Sequence, residues 1–338
     1  MDIYGTIGPA CAELGILTEM FQMGMTGMRL NLSHIELSAC REWTDKIKQA
    51  AEAAGVCPRL LVDLQGPELR IGVLKKPLEL RIGTKIVLTS QCVKSCKEER
   101  VISIPGVLLP VMKEGQEVLL DDGKILLKVE EEGMEQICCR VQRGGLLSSR
   151  KSIAVPGTVA ELPALTESDQ KNIREAKKHG VTGVMLPFVR KPRDLQNLKR
   201  ELLEAEIPEL EIFAKIENID GVGSLKDLLP YADQIVIARG DLGNSMPLWE
   251  LPAVQAEIAS VCRSQGIPFM VVTQMLASME DSSVPTRAEV SDIFQAVSQG
   301  AASVMVTGET ASGKYPAEAM KYLCRTVESA RKYLNTKV

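Results

Sequence analysis

Short apolar runs alternate along the chain with longer segments in which apolar residues recur every three or four positions, and that alternation predicts βα units around a parallel sheet. The runs are Asp2 to Ile7, Gly27 to Leu30, Leu60 to Asp63, Gly183 to Leu186, Glu211 to Lys215, Gln234 to Ala238, Phe269 to Thr273 and Ser303 to Val306. The segments between them suit helices. Leu14, Leu17, Met20 and Phe21 share one face, as do Val254, Ile258 and Cys262, and Pro285-Thr286 offers a cap before a helix over Arg287 to Val297. Eight such units with right-handed crossovers close into a (β/α)8 TIM barrel, an α/β fold; a doubly wound sheet is the alternative.

One stretch breaks the rhythm. Between Asp63 and Glu167 the helical period is lost, and short alternating segments such as Leu78 to Ile82 and Val118 to Leu120 are punctuated by turn signals at Pro105-Gly106, Gly115, Asp122-Gly123 and Gly144-Gly145. The expectation is a small all-β domain, a β-barrel lid, inserted after the third strand over 67–151. The barrel then takes 1–66 and 152–338, with hinges at Gly66-Pro67 and Val155-Pro156-Gly157.

Composition narrows the function classes. The chain has 338 residues, with 40 Lys and Arg against 44 Asp and Glu, so no basic surface tracks a nucleic-acid backbone. Two Trp, five Tyr and five Phe make a poor base-stacking platform. No apolar run is long enough to span a membrane and the first residues lack the pattern of a signal peptide, so a cytoplasmic protein is expected. Nine Cys and two His, scattered, argue against a disulfide framework and a zinc site.

A barrel of this kind carries its chemistry where the strands end. Those positions hold Arg29, Asn31, Ser33 and His34 after strand 2, Asp63 after strand 3, Lys215 and Glu217 after strand 5, Arg239, Gly240 and Asp241 after strand 6, Thr273 after strand 7 and Thr307 to Glu309 after strand 8. Glu217 and Asp241 can hold a hard cation such as magnesium, with Lys215 and Arg29 as fixed positive charge, a set that suits phosphoryl or enolate chemistry. The same residues can also be read as a rim of structural ion pairs. The stretch Gly308 to Tyr315 imitates a phosphate loop but has Tyr315 where a hydroxyl is needed for magnesium; only the amides of Gly308 to Thr310 remain as an expected phosphate contact.

At these residues the chain closely resembles the pyruvate kinase family. The matching stretches are Thr6 to Ala10, Gly24 to His34, Gly66 to Arg70, Val155-Pro156-Gly157, Phe188 to Lys191, Lys215 to Gly221, Ala238 to Gly243, Thr273 to Met279, Pro285 to Asp292 and Thr307 to Pro316, in family order. The resemblance implies transfer of the phosphoryl group of phosphoenolpyruvate to ADP, giving pyruvate and ATP. It implies that Glu217 and Asp241 ligate Mg2+ or Mn2+, that Lys215 steadies the transferring group and the enolate, and that Arg29 binds the phosphoryl group. The amides at Gly240 and Asp241 would hold the substrate carboxylate, and Thr273 would assist protonation of the enolate carbon. Asn31, Ser33, Asp63 and the carbonyl of Leu64 match a K+ site, with Glu68 as the acidic residue that accompanies potassium dependence. Asn31, Ser33, His34, Arg70, Asp122 and Lys151 match the nucleotide side, and a homo-oligomer is implied.

The chain departs from the family pattern at Ile35, Leu64, Gln65, Ala154 and Pro187, and Gln65 removes a positive charge near the site. It also ends at Val338, after the last barrel helix, which puts family-type allosteric control in doubt. Two other readings therefore stand beside the kinase. One is a non-catalytic paralogue that binds phosphoenolpyruvate or a related acid as a sensor or partner. The other is a metal-dependent lyase acting on a 2-oxo acid.

Overall fold

The structure, a computed structural model, describes residues 1–336 apart from 34, 68, 91–99, 122 and 157–161. Two compact units divide it: Met1–Gly66, Ala164–Arg239 and Leu251–Val338 form the first, and Pro67–Pro163 with Gly240–Glu250 the second.

In chain order the strands are β1 (Asp2–Thr6), β2 (Gly27–Asn31) and β3 (Arg59–Asp63), then β4 (Leu78–Leu80), β5 (Lys85–Thr89), β6 (Val101–Ser103), β7 (Glu117–Leu120), β8 (Ile125–Glu131), β9 (Gln136–Arg143), β10 (Gly145–Leu147) and β11 (Ile153–Ala154), and finally β12 (Gly183–Leu186), β13 (Glu211–Ile216), β14 (Gln234–Ala238), β15 (Phe269–Val272) and β16 (Ser303–Met305). Among the described residues, β1-β16-β15-β14-β13-β12-β3-β2 close into an eight-stranded barrel. Every pairing in it is parallel. The sequence expectation of a (β/α)8 barrel therefore holds over the doubly wound alternative. The main helices, in chain order, are α1 (Leu14–Gln22), α2 (Arg41–Ala53), α3 (Glu167–His179), α4 (Pro192–Glu204), α5 (Ile219–Gly223), α6 (Leu225–Leu228), α7 (Arg239–Asn244), α8 (Leu251–Ser264), α9 (Arg287–Ser298), α10 (Gly308–Ala311) and α11 (Pro316–Asn335).

The barrel is filled by side chains taken from alternate strand positions, including Tyr4, Leu61, Met185, Phe213, Val236, Met270 and Met305, all buried. Two rings are accommodated by glycines on neighbouring strands. A Cβ at Gly27 would lie 2.5 Å from the Arg59 carbonyl oxygen and 2.6 Å from the Tyr4 ring, and one at Gly183 would lie 2.7 Å from the Phe213 ring and 2.9 Å from Leu61, so a ring fills the space beside each glycine and at Gly27 the neighbouring backbone closes it as well. On α1, Leu17, Met20 and Phe21 face inward as expected, whereas Leu14 is 43% exposed because it opens the helix, one turn short of the packed face. The cap foreseen before α9 is a full capping box between Thr286 and Glu289.

The second unit has its own core, built around Ile86, Leu88, Ile102, Val118, Leu127 and Val141. Its described strands form a six-stranded sheet in the order β11-β7-β8-β9-β5-β6 and a separate β4–β10 pair, an all-β unit as expected. The sheet also runs past Lys151, because Ile153 and Ala154 pair with Leu120 and Leu119. A 3-10 helix over Gly106–Val111 interrupts the strands at the Pro105-Gly106 turn. Among the described residues, no helix is long and apolar enough to cross a membrane.

His179, at the end of α3, is buried with its Nδ1 3.2 Å from the Thr44 hydroxyl of α2. Burial holds its pKa below the ordinary 6.5, so the folded chain keeps it neutral where the unfolded chain takes up a proton. Its stabilising contribution is complete above 6.5 and is lost as the pH falls through the lower folded value. Melting temperatures recorded from about pH 7.5 down to about pH 5 should therefore fall more steeply for the wild type than for His179→Asn. Parallel curves would remove this histidine from the account.

Candidate active site

Strand ends gather four charged side chains of the first unit into one cluster. Asp63, the last residue of β3, is buried and accepts from Arg29 of β2, whose Nε lies 2.8 Å and Nη2 2.6 Å from Oδ2. From β13, Lys215 reaches the same carboxylate, with Nζ 3.2 Å from Oδ1 and 3.1 Å from Oδ2. Lys215 also lies 2.9 Å from Oε1 of the buried Glu217, whose Oε2 accepts the Phe188 N–H at 2.8 Å. Arg29 is braced further by Nη1 on the Thr6 hydroxyl at 3.3 Å.

Two cations and two carboxylates cancel, which is what lets them sit together out of water. Burial alone would push Lys215 down, but the Asp63 and Glu217 carboxylates outweigh it and its pKa stands above the ordinary 10.5. Burial alone would push Asp63 up, and Lys215 with Arg29 outweigh that too, leaving it below 3.8. Lys215 therefore keeps its positive charge across the physiological range.

Thr273 follows β15 in an unusual conformation. It and Gln274 have φ of 71° and 54°, a left-handed pair without glycine, and a β-branched residue there is strained by roughly 1–3 kcal/mol. Arg239 holds the strain in place. Its Nε and Nη2 donate to the Thr273 carbonyl at 3.2 and 2.8 Å, and its Nη1 donates to both oxygens of Asp292 on α9 at 2.8 and 2.6 Å. The Thr273 hydroxyl donates to the Val272 carbonyl at 2.5 Å. Arg239 stands out in the sequence only as a strand-end cation; its grip on a carbonyl has no signature in the residue pattern.

The other expected positions fall as follows. Asn31 pairs in register with Asp63 and its Oδ1 accepts the Ser33 N–H at 3.1 Å, while the Leu64 N–H donates to the Met185 carbonyl at 3.1 Å. Gly240 and Asp241 lie in α7, directly after β14. In the second unit, Arg70 bridges to Ser152 and donates from Nη1 to the Arg150 carbonyl at 2.8 Å. Lys151 there pairs with Asp121 at 2.8 Å. His34, Glu68 and Asp122 lie outside the described residues. At the expected phosphate contact, Gly308 to Thr310, the Thr310 N–H donates to the Thr307 carbonyl at 3.3 Å. A Cβ on Gly308 would sit 2.1 Å from a carboxylate oxygen of Glu280, whose pKa is raised by burial and by nearby Glu309 and Asp281.

A family profile described as "Pyruvate kinase, barrel domain" matches residues 1–320. The chain belongs to the pyruvate kinase family. The pyruvate kinase of Geobacillus stearothermophilus is 37% identical over 320 residues, covering 94% of this chain and 54% of the relative. That of Chlamydia pneumoniae is 34% identical over 330 residues, covering 98% and 68%. A crystal structure of a pyruvate kinase from Cryptosporidium parvum superimposes with a TM-score of 0.92 at 32% identity, over 98% of this chain and 69% of that one. The chain spans about half the length of the first curated pyruvate kinases that it matches, 54% and 57%. The residues matched by the family profile take in the inserted unit as well as the barrel strand end that carries Lys215 and Glu217.

Replacing Arg239 by Lys removes the fork that spans Thr273 and Asp292 at once. The expected outcome is a loss of about tenfold or more in turnover with a small change in melting temperature. Unchanged turnover would detach the clamp from the chemistry.

Proposed function

We propose that this chain transfers the phosphoryl group of phosphoenolpyruvate to ADP, yielding pyruvate and ATP. The observation that carries the reading is the neutral cluster of Arg29, Asp63, Lys215 and Glu217 at the strand ends of a barrel from the pyruvate kinase family.

The donors suit the expected ions. Among the described residues no group of three or more His, Cys, Asp or Glu gathers as a metal cage. Mg2+ is a cation that takes one or two carboxylates and fills its shell with waters and substrate oxygens. Glu217, with one oxygen fixed by the Phe188 amide, supplies one such carboxylate, and the family resemblance assigns the other to Asp241. Asn31 Oδ1, Asp63 and the Leu64 carbonyl are hard oxygen donors of the kind K+ takes, with Ser33 beside them. A bound divalent cation supplies charge neutralisation and Lewis-acid polarisation of phosphoryl and carboxylate oxygens.

The chain's own residues do the rest. Asp63 holds Arg29 and Lys215 in place before a substrate arrives, so positive charge is oriented in advance and little reorganisation is needed as phosphoryl oxygens develop charge. Lys215 remains protonated throughout and steadies the enolate oxygen electrostatically. Thr273, held by Arg239, is the hydroxyl assigned to proton delivery at the enolate carbon. The amides of Gly240 and Asp241 are assigned to the substrate carboxylate. Arg70, Lys151, His34 and Asp122 are assigned to the nucleotide on the family resemblance alone.

The test is pyruvate formation from phosphoenolpyruvate and ADP with Mg2+, with and without K+. Turnover that Lys215→Met lowers by at least about a thousandfold supports the reading. Phosphoenolpyruvate binding without turnover under all these conditions would overturn it in favour of a sensor. Between the ordinary values of 3.8 and 10.5 the Asp63–Lys215 pair should contribute no inflection to the rate profile. A step near neutral pH that disappears in Lys215→Arg would contradict the fixed-charge role.

A further inference from the structure

Asp169 is the third residue of α3, and its side chain is fully buried. Its Oδ2 accepts the N–H and the hydroxyl of Thr166, each at 2.8 Å, and its own N–H returns a bond to the Thr166 hydroxyl at 3.1 Å. A helix cap requires no more than this. The carboxylate does more: Oδ1 accepts the Gln65 N–H at 2.8 Å and Oδ2 the Gly66 N–H at 3.1 Å, from 104 and 103 residues back along the chain. Those two amides follow Asp63 by two and three positions.

Held there, Gly66 adopts φ 59° and lies so close to Pro187 that a Cβ would come within 2.5 Å of its Cγ. The next residue is Phe188, at φ 53°, whose N–H is the one on Glu217. The backbone that Asp169 grips therefore runs from Asp63 at one end to the surface of Pro187 and Phe188 at the other. Those ends position both carboxylates that flank Lys215.

We propose that Asp169 is a positioning residue for the Asp63–Lys215–Glu217 cluster: by fixing the path of residues 64–66, its carboxylate sets where the Asp63 side chain and the Phe188 amide stand. The kinetic consequence rests on the function proposed above; the geometric one does not.

Asp169→Asn keeps the shape but turns N–H donors toward amides that need acceptors. It should lower kcat by about ten- to a hundredfold while KM for phosphoenolpyruvate changes less than about threefold. Thr166→Ala removes the capping hydroxyl yet leaves the bonds to Gln65 and Gly66, so it should lower the melting temperature while keeping kcat within about threefold. If the two variants lose stability and activity in parallel, Asp169 is a cap and the proposal falls. A crystal structure of Asp169→Asn decides the geometry even for a protein without turnover: the Lys215–Asp63 contacts at 3.1 and 3.2 Å should lengthen or break. Contacts unchanged in that structure overturn the proposal. Should Asp169→Asn not fold, Gly66→Ala disturbs the same segment from the Pro187 side and must show the same kcat loss; a normal kcat there also overturns it.

Discussion

The buried Asp63 carboxylate is the contact on which the site's geometry depends. It is shared by a guanidinium from one strand and an ammonium from another, so a single buried carboxylate orients both cations. Parallel strands that end at the same level make this sharing possible. Asp63 stands in register with Asn31 on one side and Met185 on the other, and Lys215 lies on the next strand but one. The barrel thus acts as a ruler that brings residues far apart in sequence to one height, with the helices and the filled interior keeping the strands rigid.

Rigidity extends into the connections. Phe188, Thr273 and Gln274 all have positive φ, and each of these bends sits where a strand end turns into a loop that carries polar groups of the site. Such conformations persist only when neighbours hold them. Glu217 does so for the Phe188 amide and Arg239 for the Thr273 carbonyl, so charged side chains here stabilise backbone shapes as well as one another.

Much of this was legible in the amino-acid order because strand ends are where apolar runs stop. Asp63, Lys215 and Glu217 could be picked out as polar groups at such stops, and the inserted unit showed itself as a loss of helical period. Leu14 read as part of a buried face although it lies a turn beyond the packing, since periodicity carries no information about where a helix meets its neighbour. Asp169 was opaque for another reason. Its signature, Thr-x-x-Asp before a helix, announces only a cap, and its remaining partners are backbone amides, which look the same whatever side chain they carry. Arg239 was likewise seen as a charge, while its acceptor is a carbonyl.

The ring-and-glycine pairs inside the barrel have a consequence for how such a core can change over time. Phe213 with Gly183 divides a fixed volume between two strands, and Tyr4 with Gly27 does so with the Arg59 carbonyl as a third wall, so each pair behaves as one unit of inheritance. A lineage that enlarges either glycine first meets a clash, and one that trims either ring first opens a void. Exchange of the two sizes between strands must cross an intermediate worse than both endpoints, and descent should preserve which strand carries the ring.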